Sequence, residues 1–321
     1  MQSFKTLSAA FEAQFTKRHF PQQPETLYNA AQYILQIPGK RVRPIAVLMG
    51  NELFNDIDPD AYHVANAIEL FHNFSLIHDD IMDKAPLRRG IPTVHTQYGD
   101  SSALLAGDVM LVKAYEYLSQ LRSEYLPAVL HLFNKTAKEV CEGQQMDMDF
   151  EKKENVSLDE YVEMITLKTS VLLAASLQLG AIIGGARGNS QQHIYEFGKN
   201  LGIAFQVQDD YLDCYGDPEK FGKQVGGDIL SNKKTFLMIR TLEVATADQK
   251  KELQHLISGN TADKIPKVLQ LFEDCKAGEW TNSLKDKYYQ LAMKNLEDLA
   301  VLSSRKEELQ KLAMYLLQRE S

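Results

Sequence analysis

AIELFHNFSLIHDDIMDKAPLRRG, residues 67–90, holds the pattern on which the fold class turns. Ala67, Leu70, Phe71 and Phe74 recur at i, i+3, i+4 and i+7, the spacing of one helix face, with no alternation of β-branched residues. The segment reads as a largely buried helix ending near Pro86, because proline loses a backbone hydrogen bond and clashes with the preceding turn. Three aspartates stand at its carboxyl end. Asp79 and Asp83 lie one turn apart on the same face, whereas Asp80 is turned away by about 100°. Alone, such a DDxxD is as readily a solvated acidic helix end. Carboxylates that close a buried helix, however, suffer desolvation, mutual repulsion and an unfavourable helix dipole, so a cation is expected beside them. Oxygen ligands of this kind suit Mg²⁺, which takes one or two protein carboxylates and completes its octahedron with water and substrate phosphate.

The same periodicity extends over most of the 321 residues, and the prolines and glycines fall between periodic segments: Pro21 and Pro24, Pro38 with Gly39, Pro59, Gly216 with Pro218, Gly226 with Gly227. With no solenoid repeat and no low-complexity stretch, the reading is all-α, a single large helical domain over residues 1–321. A hydrophobic content of 44% is enough for a substantial core. The net charge of -8 argues against a general affinity for nucleic acid or anionic lipid, so any anion site must be a local cluster. Cys141, Cys214 and Cys275 lie far apart with no CxxC spacing, which suggests neither a disulfide framework nor a thiolate zinc site. The amino terminus lacks the unbroken apolar core of a signal peptide, and the expected location is a reducing cytoplasm. SVLLAASLQLGAIIGGA, residues 170–186, is near the lower length limit for a membrane span and carries Ser176, Gln178 and several glycines; it reads as a buried central helix.

LGIAFQVQDDYLDCYGDP, residues 201–218, repeats the acidic arrangement: Asp209 and Asp213 share a face and Asp210 is offset. Two apolar helices that each end in DDxxD, 130 residues apart, would face one another across a cavity and share metals. Such a site needs positive side chains to bind an oligophosphate. GKRVRP at 39–44 supplies Lys40, Arg41 and Arg43, the first motif is followed by Arg88 and Arg89, and FGKQVGGDILSNKKT at 221–235 supplies Lys223, Lys233 and Lys234. Each basic turn alone is ordinarily just solvated. Guanidiniums suit fixed bidentate phosphate contacts, and lysines on a glycine-containing loop suit closure over a substrate.

Together these residues resemble the trans-type isoprenyl diphosphate synthases, the polyprenyl synthetase family that includes farnesyl and geranylgeranyl diphosphate synthases. GKRVRP is similar to the family's GGKxxRP turn, with Pro38 in place of the first glycine, and LIHDDIMDKAPLRRG to its first aspartate-rich motif. GQQMD at 143–147, KT at 168–169, FQVQDDYLD at 205–213 and the K…GGDI…K segment at 223–233 follow in the family's order. The resemblance implies an isoprenoid synthase fold around a deep catalytic cavity, usually in a homodimer. It implies that Asp79, Asp83 and Asp209 ligate three Mg²⁺ ions, supported by Asp80, Asp210 and Asp213. Arg88, Lys168 and Lys223 would hold the allylic diphosphate, with Lys233 on the same loop. Lys40, Arg43, His72 and Arg89 would hold isopentenyl diphosphate. On this view the arginines are phosphate holders and not partners of the aspartates. Thr169, Gln206 and the main chain near Lys168 would turn dipoles toward an allylic cation. His72 also fits by spacing, since seven residues before Asp79 it returns to nearly the same face; its bland alternative is a hydrogen-bonded core histidine. Gln206 has the alternative of a helix-packing amide.

Phe74 lies five residues before Asp79, about 7.5 Å along the helix, where a bulky ring would block a growing chain. An aromatic there, the small Ser75 beside it and no insertion within DDIMD resemble geranylgeranyl more than farnesyl synthases, with Phe71 nearly a turn deeper. A twenty-carbon product is expected, fifteen carbons being the alternative. A terpene cyclase needs no second diphosphate pocket, so Lys40, Arg43 and Arg89 argue against it. Two intact aspartate motifs argue against a non-catalytic partner subunit. From about Leu237 onward the amphipathic patterns imply packing and carry no chemistry.

Overall fold

The 67–90 stretch forms the carboxyl end of a 24-residue helix, α4, Pro59–Met82. Asp58 caps its start by accepting the Asp60 N–H at 3.0 Å, and Pro59 occupies a first-turn position where no amide is needed. The helix stops before Pro86, as the sequence predicts. Lys84 adopts a left-handed φ of 50°, and the Ala85 N–H reaches back to the Asp80 carbonyl at 3.0 Å, a Schellman-type close. The structure is a computed structural model and describes residues 1–216, 225–259 and 263–317.

The chain divides into two compact units, each drawn from separated stretches. The first comprises residues 1–135, 175–195 and 299–308. Its helices include α1 (Phe4–Phe15), α2 (Glu25–Gln36), α3 (Val42–Glu52), α4, α5 (Val94–Tyr98) and α6 (Asp100–Leu118). Helix α4 packs chiefly on α6 and α3, burying Val64, Ile68, Phe71, Phe74 and Ile77. Between α4 and α5 the chain makes an antiparallel hairpin of two-residue strands, Leu87–Arg88 and Ile91–Pro92, which the helical reading did not anticipate. Its turn residues, Arg89 at φ 53° and Gly90 at φ 75°, both lie in the left-handed region that a tight two-residue hairpin requires. Glycine accepts this freely; arginine does so at a cost of order 1 kcal/mol.

The second unit comprises residues 136–174, 196–298 and the chain from 309 onward. Ser157 and Glu160 form a capping box at the start of α8, Leu158–Ile165, which passes into a π-helical turn, Thr166–Ser170. One apolar cluster joins Tyr161, Met164, Ile203, Val207, Phe236 and Leu284. A second joins Leu237, Met238, Leu253, Leu256, Val268, Leu271 and Phe272. The carboxyl-terminal helices thus do the packing their patterns imply. The Leu158–Ile183 run is long and apolar enough by composition to cross a membrane, yet 72% of its apolar window is buried in the protein, in keeping with a core helix.

Candidate active site

In the first unit α4 brings Asp79 and Asp80 to its last turn and Asp83 to its cap, where the Asp83 N–H donates to the Asp79 carbonyl at 2.8 Å. Asp79 is half-buried and Asp83 exposed. Asp80 is buried, and Arg88 grips it with two parallel hydrogen bonds, Nε to Oδ2 at 2.9 Å and Nη2 to Oδ1 at 2.7 Å. This corrects the expectation that the arginines are not partners of the aspartates. The two-residue hairpin turns Arg88 back onto the helix end, a geometry that linear spacing does not reveal. Arg89 goes the other way, donating from Nη1 to the Pro38 carbonyl. A Cβ on Gly39 would meet that guanidinium, which would have to swing aside, so glycine leaves room for this close approach.

The other basic residues of that turn separate into different roles. Lys40 is exposed. Arg41, at a left-handed φ of 48°, folds inward and donates from Nη1 to the buried Glu69 at 2.5 Å and from Nη2 to the Leu35 carbonyl at 2.6 Å. Arg43 Nη1 lies 3.2 Å from His72 Nε2. A guanidinium can only donate, so His72 Nε2 accepts and the ring is neutral, with its proton on Nδ1. Burial first, and then the positive charges of Arg43, Arg88, Arg89 and Arg41, hold the imidazole well below its usual range. His72 is therefore a neutral ring whose charged form the nearby guanidiniums disfavour. Among the described residues Arg43 has no carboxylate at ion-pair distance, and its buried Nε has no hydrogen-bond partner. A half-buried guanidinium in that state has hydrogen-bonding capacity to spare.

On the same helix the Phe74 ring packs against Phe71 at 5.6 Å and edge-on to His78 at 4.6 Å. Phe71 is closed off by Phe133 at 5.4 Å. The Ser75 hydroxyl donates to the His72 carbonyl of its own helix at 2.9 Å, leaving no bulk at that position.

In the second unit Lys168 and Thr169 sit in the π-helical turn. Helix α7, Leu126–Lys152, carries GQQMD past them. A Cβ on Gly143 would fall on the Lys168 backbone nitrogen, and Asp147 accepts from Lys168 Nζ at 2.5 Å. GQQMD and KT are thus two halves of one contact. Helix α9, Asn189–Tyr215, ends in the second acidic motif. Asp210 is buried and accepts from Tyr161 Oη at 2.9 Å, Gln206 Nε2 at 3.0 Å and, at 3.5 Å, the Phe236 N–H. Burial, and then the Asp228 charge, push its carboxyl up to about 7 against the pull of those donors. Gln206 therefore spends its amide on Asp210. Asp209 and Asp213 are half-buried, and Asp213 braces the 226–228 backbone by accepting from the Gly226 N–H at 2.7 Å and the Asp228 N–H at 3.0 Å. Lys233 Nζ is 3.5 Å from Asp228. Lys223 lies outside the described residues.

The sequence reading assigned no role to Glu69, Asp147, Tyr161 or Asp228. Asp147 stood in a quoted motif 21 residues before its lysine, and Asp228 in GGDI; Glu69 and Tyr161 had no signal beyond being polar within apolar runs.

Each acidic helix end offers hard oxygen donors of the kind Mg²⁺ prefers, in the small number it takes from protein. Among the described residues no group of three or more acidic, histidine or cysteine side chains forms a complete metal cage. The donor set fits an ion that keeps positions for water and phosphate.

Residues 24–275 match the profile of the family described as polyprenyl synthetase. The short chain isoprenyl diphosphate synthase of Methanothermobacter thermautotrophicus is 38% identical over 298 residues, 92% of this chain and 91% of that protein. The geranylgeranyl diphosphate synthase of Saccharolobus solfataricus is 37% identical over 312 residues, 95% and 92% of the two chains. A crystal structure of a geranylgeranyl pyrophosphate synthase superposes with a TM-score of 0.94 at 41% identity, covering 100% of both chains. The chain belongs to the polyprenyl synthetase family, whose all-α fold it has. Within that family it is an isoprenyl diphosphate synthase, a prenyl-transferring enzyme of a class that acts on isoprenoid diphosphates with Mg²⁺.

Proposed function

We propose that the chain, acting as a single catalytic domain, condenses isopentenyl diphosphate with an allylic diphosphate (dimethylallyl, geranyl or farnesyl) to make all-trans geranylgeranyl diphosphate. The observation that carries the reading is Arg43: a half-buried guanidinium whose partner is a neutral imidazole, on the helix that ends in DDIMD. It supports the assignment of Arg43, His72, Arg89 and Lys40 to the isopentenyl diphosphate. Arg88, Lys168, Lys223 and Lys233 take the allylic diphosphate. Arg88 reaches it from its fixed grip on Asp80, and Lys168 from its pair with Asp147.

Asp79, Asp83 and Asp209 would hold three Mg²⁺ ions, with Asp80, Asp210 and Asp213 in support. Bound magnesium supplies the charge that stabilises the departing diphosphate as the allylic C1–O bond breaks. Arginine and lysine side chains share that load. The Thr169 hydroxyl and the main chain of the π-helical turn orient dipoles toward the allylic cation; Gln206 contributes through its hold on Asp210. The isopentenyl double bond attacks C1, and the proton lost in forming the new double bond passes to the released diphosphate. No protein nucleophile is required. The apolar side chains of α4 exclude water from the cation and, at Phe74, stop the chain.

The twenty-carbon product is supported by the names of the relatives and by the Phe74, Phe71 and Phe133 stack. A homodimer is supported by the apolar residues Leu104, Leu105, Val112 and Tyr115, each 38% to 59% exposed along α6. A cytoplasmic location is supported by cysteines that form no disulfide among the described residues. Incubation with Mg²⁺, isopentenyl diphosphate and each allylic primer in turn, with products sized by chromatography, tests the reading. Accumulation at twenty carbons from every accepted primer is expected. No elongated product with any primer would overturn it.

A further inference from the structure

Glu69 is a carboxylate buried on α4 that the proposed chemistry does not touch. Its Oε1 accepts from Arg41 Nη1 at 2.5 Å and from Asn73 Nδ2 at 2.9 Å. A buried carboxylate is tolerable only when paired in this way, and by the same token it neutralises the one guanidinium of GKRVRP that turns inward. Arg41 is held twice more, at the Leu35 carbonyl and over the Phe15 ring at 5.3 Å, and it starts α3 from a left-handed backbone conformation that arginine does not choose unaided. Arg43 lies two residues on, within the first turn of α3. An anchored Arg41 therefore holds that turn where α3 begins. With it, Arg43 is left as the cation that faces His72 without a carboxylate of its own. Burial works against the Arg43 charge and so does Arg89, while the field of Glu69 favours it.

We propose that Glu69 is a positioning residue for the homoallylic substrate: through its clamp on Arg41 it fixes the turn that presents Arg43 and His72 to the diphosphate of isopentenyl diphosphate. The inference rests on the assignment of Arg43 and His72 to that substrate. Glu69 touches no substrate, so its loss acts on one KM and not on the chemical step.

Steady-state kinetics on Glu69→Gln, Glu69→Asp, Arg41→Lys and Arg43→Lys tests it. Glutamine keeps the shape and one acceptor oxygen while removing the charge and turning the second acceptor into a donor. Glu69→Gln is expected to raise the KM for isopentenyl diphosphate on the order of tenfold, leaving the allylic KM and kcat within about twofold. Glu69→Asp, which keeps the charge, should recover part of the loss. Arg41→Lys breaks the fork from the other side and gives the same KM change even where Glu69→Gln proves too unstable to assay. An unchanged isopentenyl KM in Glu69→Gln and Arg41→Lys, with a raised one in Arg43→Lys, overturns the proposal alone. A KM unmoved by Arg43→Lys as well overturns the substrate assignment and the proposal with it. A uniform loss, both KM values up and kcat down with a lowered Tm, assigns Glu69 to the fold and also overturns it.

Discussion

His72 shows how one residue combines structure and function. Its neutrality comes from burial and from the guanidiniums around it, so folding favours the uncharged ring. With the folded pKa depressed below the unfolded value of about 6.5, the unfolded chain binds the extra proton; stability is full above that pH and declines as pH falls below it. Asp210, raised by burial, pulls in the opposite sense over the same range, so the contribution of His72 is read as a difference. Wild type is expected to lose up to about 1.4 kcal/mol per pH unit below pH 6.5 relative to His72→Gln in urea unfolding. A difference that is flat between pH 7.5 and 5 assigns the ring no burial of this kind. Phe74 carries a second residue-scale prediction. Phe74→Ala removes the ring that packs on Phe71 and His78, and products longer than the wild type's are expected on chromatographic sizing. An unchanged length places the stop elsewhere. At this scale the sequence revealed which aspartates and basic residues gather in motifs but not how they pair. Arg88 and Arg89 are neighbours with opposite tasks because Arg89 itself is left-handed, and Arg41, left-handed too, diverges likewise from Arg43.

Among the elements, long helices were legible and short departures from them were not. The end of α4 follows from Pro86, and the apolar face from its period. The hairpin at 87–92 has two residues per strand, too few for any periodicity, and the π-helical turn at 166–170 differs from a helix by one residue of register. Both hold site residues. The π turn also explains why glycine begins GQQMD: α7 touches its backbone there. Gly143→Ala is therefore expected to destabilise the protein by about 1–3 kcal/mol in denaturant unfolding, and to raise the allylic KM through Lys168 while sparing the isopentenyl KM. A variant with wild-type stability and kinetics would mean that α7 has room to move.

In the whole molecule, the all-α fold and the enzyme class were readable because DDIMD and DDYLD repeat one arrangement in one chain, each after an apolar helix. The division into two interleaved units was not readable, since contacts between residues far apart in sequence leave no local period. Each unit carries one acidic helix end and one ion pair among its site residues, Arg88 with Asp80 of the acidic end in the first and Lys168 with Asp147 of α7 in the second. The central claim is that both acidic ends serve a single magnesium-dependent transfer. The most direct measurement is the initial rate of radiolabelled isopentenyl incorporation, with Mg²⁺ and farnesyl diphosphate, for wild type, Asp79→Asn and Asp209→Asn. Both variants are expected to fall by at least about 10²-fold in kcat/KM, and the wild-type rate to vanish on chelation. A wild-type rate in either variant would contradict the claim, because one of the two motifs would then stand outside the reaction.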